Sequence, residues 1–239
     1  MDDQAFISAF EAAAIASDRW MHRDHVRMAF LYLRDHPFGQ ALARIRSGIL
    51  ALNRANGGRN TATAGYHETV TVAWALLIAD AIDQSRAQAH LLADSGSFLA
   101  LHPYLLAKDA LRAHYSSDRI MSIEARVAFV QPDLAALPVL HATPDDGVLT
   151  DPLEPLILDL LEWLAPAPRP YSEVMSAWRT SCPRLPVWEE TSMRGLLERA
   201  HAGDGTAIVS ITELGRALLA RGRPERSEPG AIAPKGDAR

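Results

Sequence analysis

The chain has 239 residues, 48% of them hydrophobic and 22% charged, a composition that suits a folded protein with a sizeable core and not a disordered one. Its net charge of −5 is spread evenly, with 13 basic and 16 acidic side chains in residues 1–150, 7 and 10 in residues 151–221, and 4 and 3 beyond. No basic domain or stripe supplies the phosphate neutralisation that dominates nucleic-acid affinity, which counts against a strong non-specific grip on DNA or RNA.

The single cysteine, Cys182, rules out an intramolecular disulfide framework and fits a reducing compartment. Met1-Asp2-Asp3-Gln4 is acidic and lacks the features of a signal peptide. The longest apolar run, Val70 to Ile82, is interrupted by Thr71 and Asp80 and is too short for a bilayer. A cytoplasmic location without membrane contact is therefore expected. Lysine is almost absent, with only Lys108 and Lys235.

In chain order, Phe6, Ala9, Phe10 and Ala13 give a first amphipathic helix over about residues 3–16. A second helix carries Val26, Ala29, Phe30 and Leu33 at i, i+3, i+4, i+7, starts near Asp18 or Asp24, and is ended by Pro37. A third presents Phe38, Ala41, Leu42, Ile45, Ile49 and Leu52, then stops at Asn56-Gly57-Gly58. A fourth, from about Tyr66 to Asp83, aligns Val70, Trp74, Leu77 and Ala81. Shorter helices are expected over 97–101, 104–115 and 122–130, with Asp109 or Ser122 as caps. Residues 1–137 thus read as an all-helical bundle, and the proline-rich stretch 138–152 as a linker.

Beyond the linker the rhythm changes. Helices are expected over 154–165, 171–180 and 187–201, separated by Pro166-Ala167-Pro168-Arg169-Pro170 and by a turn over 181–186. His201-Ala202-Gly203-Asp204-Gly205 reads as a hairpin turn and 207–211 as a strand. Thr212 caps a last helix to Arg221, with Glu213 favoured by the helix dipole, and residues 222–239 read as a disordered tail. Ile208-Val209-Ser210-Ile211-Thr212-Glu213-Leu214-Gly215-Arg216-Ala217-Leu218 resembles the strand-to-helix passage of MarR-type winged-helix regulators, and the resemblance covers residues 153–221. It implies a fold class of mainly α type, a helical bundle followed by a winged-helix-like α+β domain.

A winged helix places the start of its third helix in the major groove, where Arg184, Arg194 and Arg199 are the candidate DNA contacts. That helix opens Val187-Trp188-Glu189-Glu190, and two glutamates facing phosphate are repulsive. Direct DNA contact is therefore disfavoured against a protein-contact or homodimer module. Cys182, in the turn before this helix, is either a low-pKa redox thiol or a small residue in a tight turn.

Three histidines carry the chemistry of the first domain. His22 and His25 are three apart and share a helix face if the helix includes both, while His67 falls on the stripe of Val70, Trp74 and Leu77 with Glu68 beside it. Imidazoles on two helices of one bundle can meet at zinc, iron or manganese, so His22, His25 and His67 are candidate metal ligands, with His114 as a fourth. Glu68 is then a ligand or general base, oriented by Tyr66 and Thr69. Without metal, His67 and Glu68 are candidate acid–base groups. The plain alternative has His22 and His25 satisfying backbone or Asp18 and Asp24, and His67 hydrogen-bonding near a helix start.

Trp20-x-His22-x-x-His25-x-Arg27, Gly65-Tyr66-His67-Glu68-Thr69-x-Thr71, His114-Tyr115-Ser116 and Pro132-Asp133-Leu134 together resemble an uncharacterised group of bacterial helical proteins. The resemblance implies a boundary near residue 138 and no chemistry. Trp74, Phe30, Phe38 and Leu77 read as core, and Arg44 and Arg46 as the solvated face of the third helix. Gly57-Gly58 follows a helix and is a stop, not a phosphate cradle. Two functions remain open. One is a helical domain that binds a small ligand or metal and is coupled to a winged-helix module in a regulatory protein. The other is a metal-dependent or acid–base enzyme centred on His22, His25, His67 and Glu68.

Overall fold

A computed structural model describes residues 1–87, 92–139, 153–177 and 184–224. The chain is mainly helical, with one three-stranded antiparallel sheet among the described residues. The tail beyond 224, most of the 138–152 linker and Cys182 lie outside them.

Helix α1 (Asp3–Glu11) is capped by the Asp2 carboxylate, which accepts from Ala5 N–H, and buries Phe6 and Phe10. It ends earlier than its apolar spacing suggests, because Ala13 adopts φ 50°. Helix α2 (His22–Asp35) begins two residues before Asp24, whose carboxylate accepts from Met21 N–H at 2.9 Å. That start places both His22 and His25 on the helix. Helices α3 (Phe38–Ala55) and α4 (Glu68–Ser85) pack with α2, and Phe10, Phe30, Leu42, Ile45, Ile78 and Phe98 are buried in one core.

Helix α5 (Ser95–Leu101) is followed by two 3₁₀ turns, Pro103–Leu106 and Ala110–Ala113, where the sequence suggests one continuous helix. Two short helices, α6 (Ser117–Ile120) and α7 (Ile123–Val127), complete this part. The expected cap at Ser122 forms, accepting from Ala125 N–H, whereas Asp109 makes no capping bond.

The second part runs α8 (Glu154–Leu164), β1 (Arg169–Pro170), α9 (Tyr171–Ala177), α10 (Arg184–Met193), β2 (Leu197–His201), β3 (Ala207–Ile211) and α11 (Glu213–Gly222). The sheet order is β1-β3-β2, with Arg169 opposite Val209 and Leu197 opposite Ile211. Pro170 lies in the short edge strand, where its missing N–H costs least.

The third helix does not continue to residue 201. Gly195, at φ +69°, ends α10, with Leu196 N–H donating to Thr191 O and Gly195 N–H to Ser192 O. The chain then turns into β2, so Arg199 is a strand residue and not a helical one. Thr212 caps α11 as expected, accepting from Gly215 N–H.

Two apolar cores form, and their division departs from the sequence boundary. Ala128, Ile123 and Val127 belong with Ile157, Leu161, Val174, Val209 and Leu214 in the second core, although they precede the linker. Met193 of α10 packs instead against the first. Arg221 Nη2 donates to Phe129 O at 2.7 Å, and Asn60 Nδ2 donates to Met193 O at 2.5 Å. These bonds add to the packing that joins the two parts. Among the described residues no helix is long and apolar enough to cross a membrane.

Candidate functional site

A cavity of about 510 Å³ opens between α2, α3, α4 and the loop before α4, and His22, His25 and His67 all line it. Its aromatic walls are Trp20, Tyr66 and Trp74. Helix α3 contributes Ile45, Ile49 and Asn53, and α4 contributes Val70 and Thr71. Lys108, which is exposed, completes the lining at the rim.

Each imidazole is held differently. The ring of His22 lies 4.7 Å from that of Trp74, and its Nε2 donates to Leu105 O at 3.0 Å. The ring of His25 sits 4.4 Å from that of Trp20 and has no hydrogen bond among the described residues. His67 is the N-cap of α4 and not a member of its interior stripe. Its Nδ1 accepts from Val70 N–H at 3.3 Å and its Nε2 donates to Ile120 O at 2.8 Å, which fixes the neutral Nε2–H tautomer.

Burial lowers the pKa of all three histidines. For His25 it brings the value down to about 4, with His22 adding to the effect and Asp24 opposing it. For His22 the Leu105 carbonyl opposes burial while Lys108 reinforces it, and for His67 the Ile120 carbonyl is the main opposing group. At neutral pH the three rings are therefore uncharged.

Glu68 does not join them. It is 8% exposed on the far side of the helix start, its Oε1 accepting from Arg46 Nε at 2.9 Å and its Oε2 from the Tyr66 hydroxyl at 2.6 Å. Arg46 is correspondingly buried and ion-paired, not on the solvated face of α3. A carboxylate engaged in this way is not poised over the cavity. Tyr66 orients it as the sequence suggests, but Thr69 does not. Thr69 Oγ1 instead donates to Ala128 O at 2.9 Å and accepts from Val130 N–H at 3.1 Å.

Among the described residues the three imidazoles are not grouped as a metal centre would require. Both nitrogens of His67 are engaged, and among the described residues no group of three or more His, Cys, Asp or Glu side chains is placed to share an ion. His114 lies elsewhere, its Nδ1 donating to Ala135 O at 3.0 Å and Ala136 O at 3.1 Å.

A Ser–His contact with no local sequence signal joins Ser85 Oγ and His102 Nε2 at 2.7 Å. The serine hydroxyl donates to Ala81 O at 2.8 Å, so His102 is the donor in the pair and does not activate the serine.

Of the candidate DNA contacts, Arg194 pairs with Glu190 at 2.7 Å and lines a small cleft with Glu68 and Arg126, facing the helical part. The Arg199 guanidinium lies over the Tyr171 ring, 4.4 Å from its centroid. The Arg184 side chain is outside the described residues. In the described part of α10 only Glu189 is exposed, and the helix packs on α3 and α8.

Lys108, Asn53 and Thr71 are further lining residues, and Trp74, expected as core, lines the cavity as well. The one sequence signal for them was Lys108 itself, one of two lysines in the chain. Comparison with known proteins finds no matching family model, no matching curated protein and no matching solved structure.

Proposed function

We propose that the protein is a small-ligand-binding helical domain coupled to a winged-helix module, and that it has a regulatory role. The observation that carries this reading is the convergence of His22, His25 and His67 with Trp20, Tyr66 and Trp74 on one cavity of about 510 Å³. That volume lies within the range of roughly 300–1,000 Å³ usual for small-molecule sites. The helix–strand–helix–helix–strand–strand–helix order and the sheet order β1-β3-β2 support the winged-helix assignment of residues 153–221. A route between the two parts is present in Asn60, which accepts from Tyr66 N–H at 2.7 Å and donates to Met193 O of α10.

The covered face of α10 favours a protein contact over DNA as the output of this module, since a groove-reading helix must be bare. The enzyme alternative needs Glu68 in the cavity, which it does not line. A fragment screen by ligand-observed NMR, run on wild type and on the cavity-filling variant Val70→Trp, tests the reading. Fragments are expected to bind wild type, to lose binding in the variant, and to change amide exchange in α10 when bound. A screen without hits, or hits indifferent to Val70→Trp, would sink it.

A further inference from the structure

The charge pattern of the cavity selects among ligands. Among the described residues no aspartate or glutamate lines it, and Lys108 is the one lysine or arginine that does. Lys108 makes no ion pair among the described residues, so its charge is available at the rim. The rest of the lining consists of aromatic and aliphatic side chains, uncharged imidazoles, and the neutral polar groups of Asn53 and Thr71. The lining is thus largely apolar and aromatic, with one positive charge at an exposed position.

Resting on the ligand-binding reading above, we propose that the cavity takes a small organic monocarboxylate with a flat apolar body. Its body lies among the aromatic and aliphatic side chains and its carboxylate meets Lys108. A cationic ligand would face Lys108 with no carboxylate among the described lining residues to offset the repulsion. A polyanion such as a nucleotide would bring more negative charge than one ammonium can balance. Burial keeps His25 and His67 neutral, so they add hydrogen-bonding capacity without a second positive charge.

Isothermal titration of the full chain with 2-naphthoate, 2-naphthamide and 2-naphthylmethylammonium separates the charge from the ring. The acid is expected to bind wild type roughly fivefold tighter than the amide, the range of a partly exposed ion pair, and the amine weakest. Lys108→Met is expected to erase the preference for the acid while leaving the amide unchanged, and Lys108→Arg to retain it. Lys108 is exposed, so neither substitution disturbs packing. Equal binding of acid and amide, or a preference that survives Lys108→Met, would overturn the monocarboxylate proposal and leave the cavity reading intact. Failure of all three probes to bind, or binding unaffected by Val70→Trp, would overturn both.

Discussion

The Tyr66 hydroxyl donates to Glu68 Oε2 at 2.6 Å, so one residue both walls the cavity and holds the carboxylate that pairs with Arg46. Tyr66 is itself fixed from behind, because Arg126 Nη1 donates to its carbonyl at 3.1 Å and Asn60 Oδ1 accepts from its N–H. Burial, followed by the nearby Glu68 carboxylate, pushes the Tyr66 phenol well above its usual range, which keeps it a donor at any working pH. The loop before α4 is thus rigidified by polar contacts on one side and presents a ring to the cavity on the other.

Glu68→Ala removes the counter-charge of a buried arginine and is expected to cost about 3–5 kcal/mol in urea unfolding. The double variant Arg46→Met/Glu68→Leu should recover most of that loss, because no buried charge is left behind. A loss below about 1 kcal/mol in the single variant would mean that water reaches Arg46 and that the pair is not desolvated.

Thr69 is fully buried and serves two backbone groups, Ala128 O and Val130 N–H. Thr69→Val keeps the shape and orphans both, so a loss of about 2 kcal/mol is expected, while Thr69→Ser keeps most of the hydrogen bonding. Equal stability of the valine and serine variants would contradict a bridging role for the hydroxyl.

Gly195 holds a positive φ, and a Cβ there would meet Asn60 O at 2.5 Å. Gly195→Ala is expected to cost about 2 kcal/mol or more, from backbone strain and from contact with the loop that carries Tyr66. Gly203→Ala, where a Cβ meets nothing within 4 Å, should stay within about 0.5 kcal/mol of wild type. Similar thermal shifts for the two variants would argue against the close approach of α10 to the 58–67 loop.

The depressed pKa of His25 makes stability depend on pH. Its folded value of about 4 lies below the unfolded value of about 6.5, so the unfolded chain binds a proton first as pH falls. Its stabilising contribution is therefore whole above pH about 6.5, declines toward pH about 4, and loses no more below that, a total on the order of 3 kcal/mol. His25→Asn should flatten this part of the unfolding free energy curve relative to wild type. Parallel curves for the two proteins between those limits would refute the buried neutral imidazole.

Much of the helical part was legible in the sequence. The stripes of α2, α3 and α4 rest on 3.6-residue periodicity, which a single segment displays by itself, and Thr212 and Ser122 announce their helices through local capping. The hairpin turn and β3 were readable for the same reason. Strand β2 was not, because Leu197-Glu198-Arg199-Ala200-His201 carries no alternation and continues a helical composition. Gly195 was the available clue, and its left-handed backbone is what separates helix from strand.

The site divided along the same line. Spacing put His22 and His25 on one helix face only on condition that the helix includes both, which the start of α2 at His22 decides, and it drew attention to His67. Which way Glu68 turns depends on where α4 starts and on Arg46, 22 residues away in sequence. Lys108 reaches the cavity from a segment whose chain path no local pattern reports. The sequence by itself determined the mainly helical class, because this follows from periodicity and capping within short stretches. Only the tertiary structure decided that the three imidazoles share one cavity while Glu68 pairs away from it, because burial and ion pairing are set by side chains that meet from distant parts of the chain.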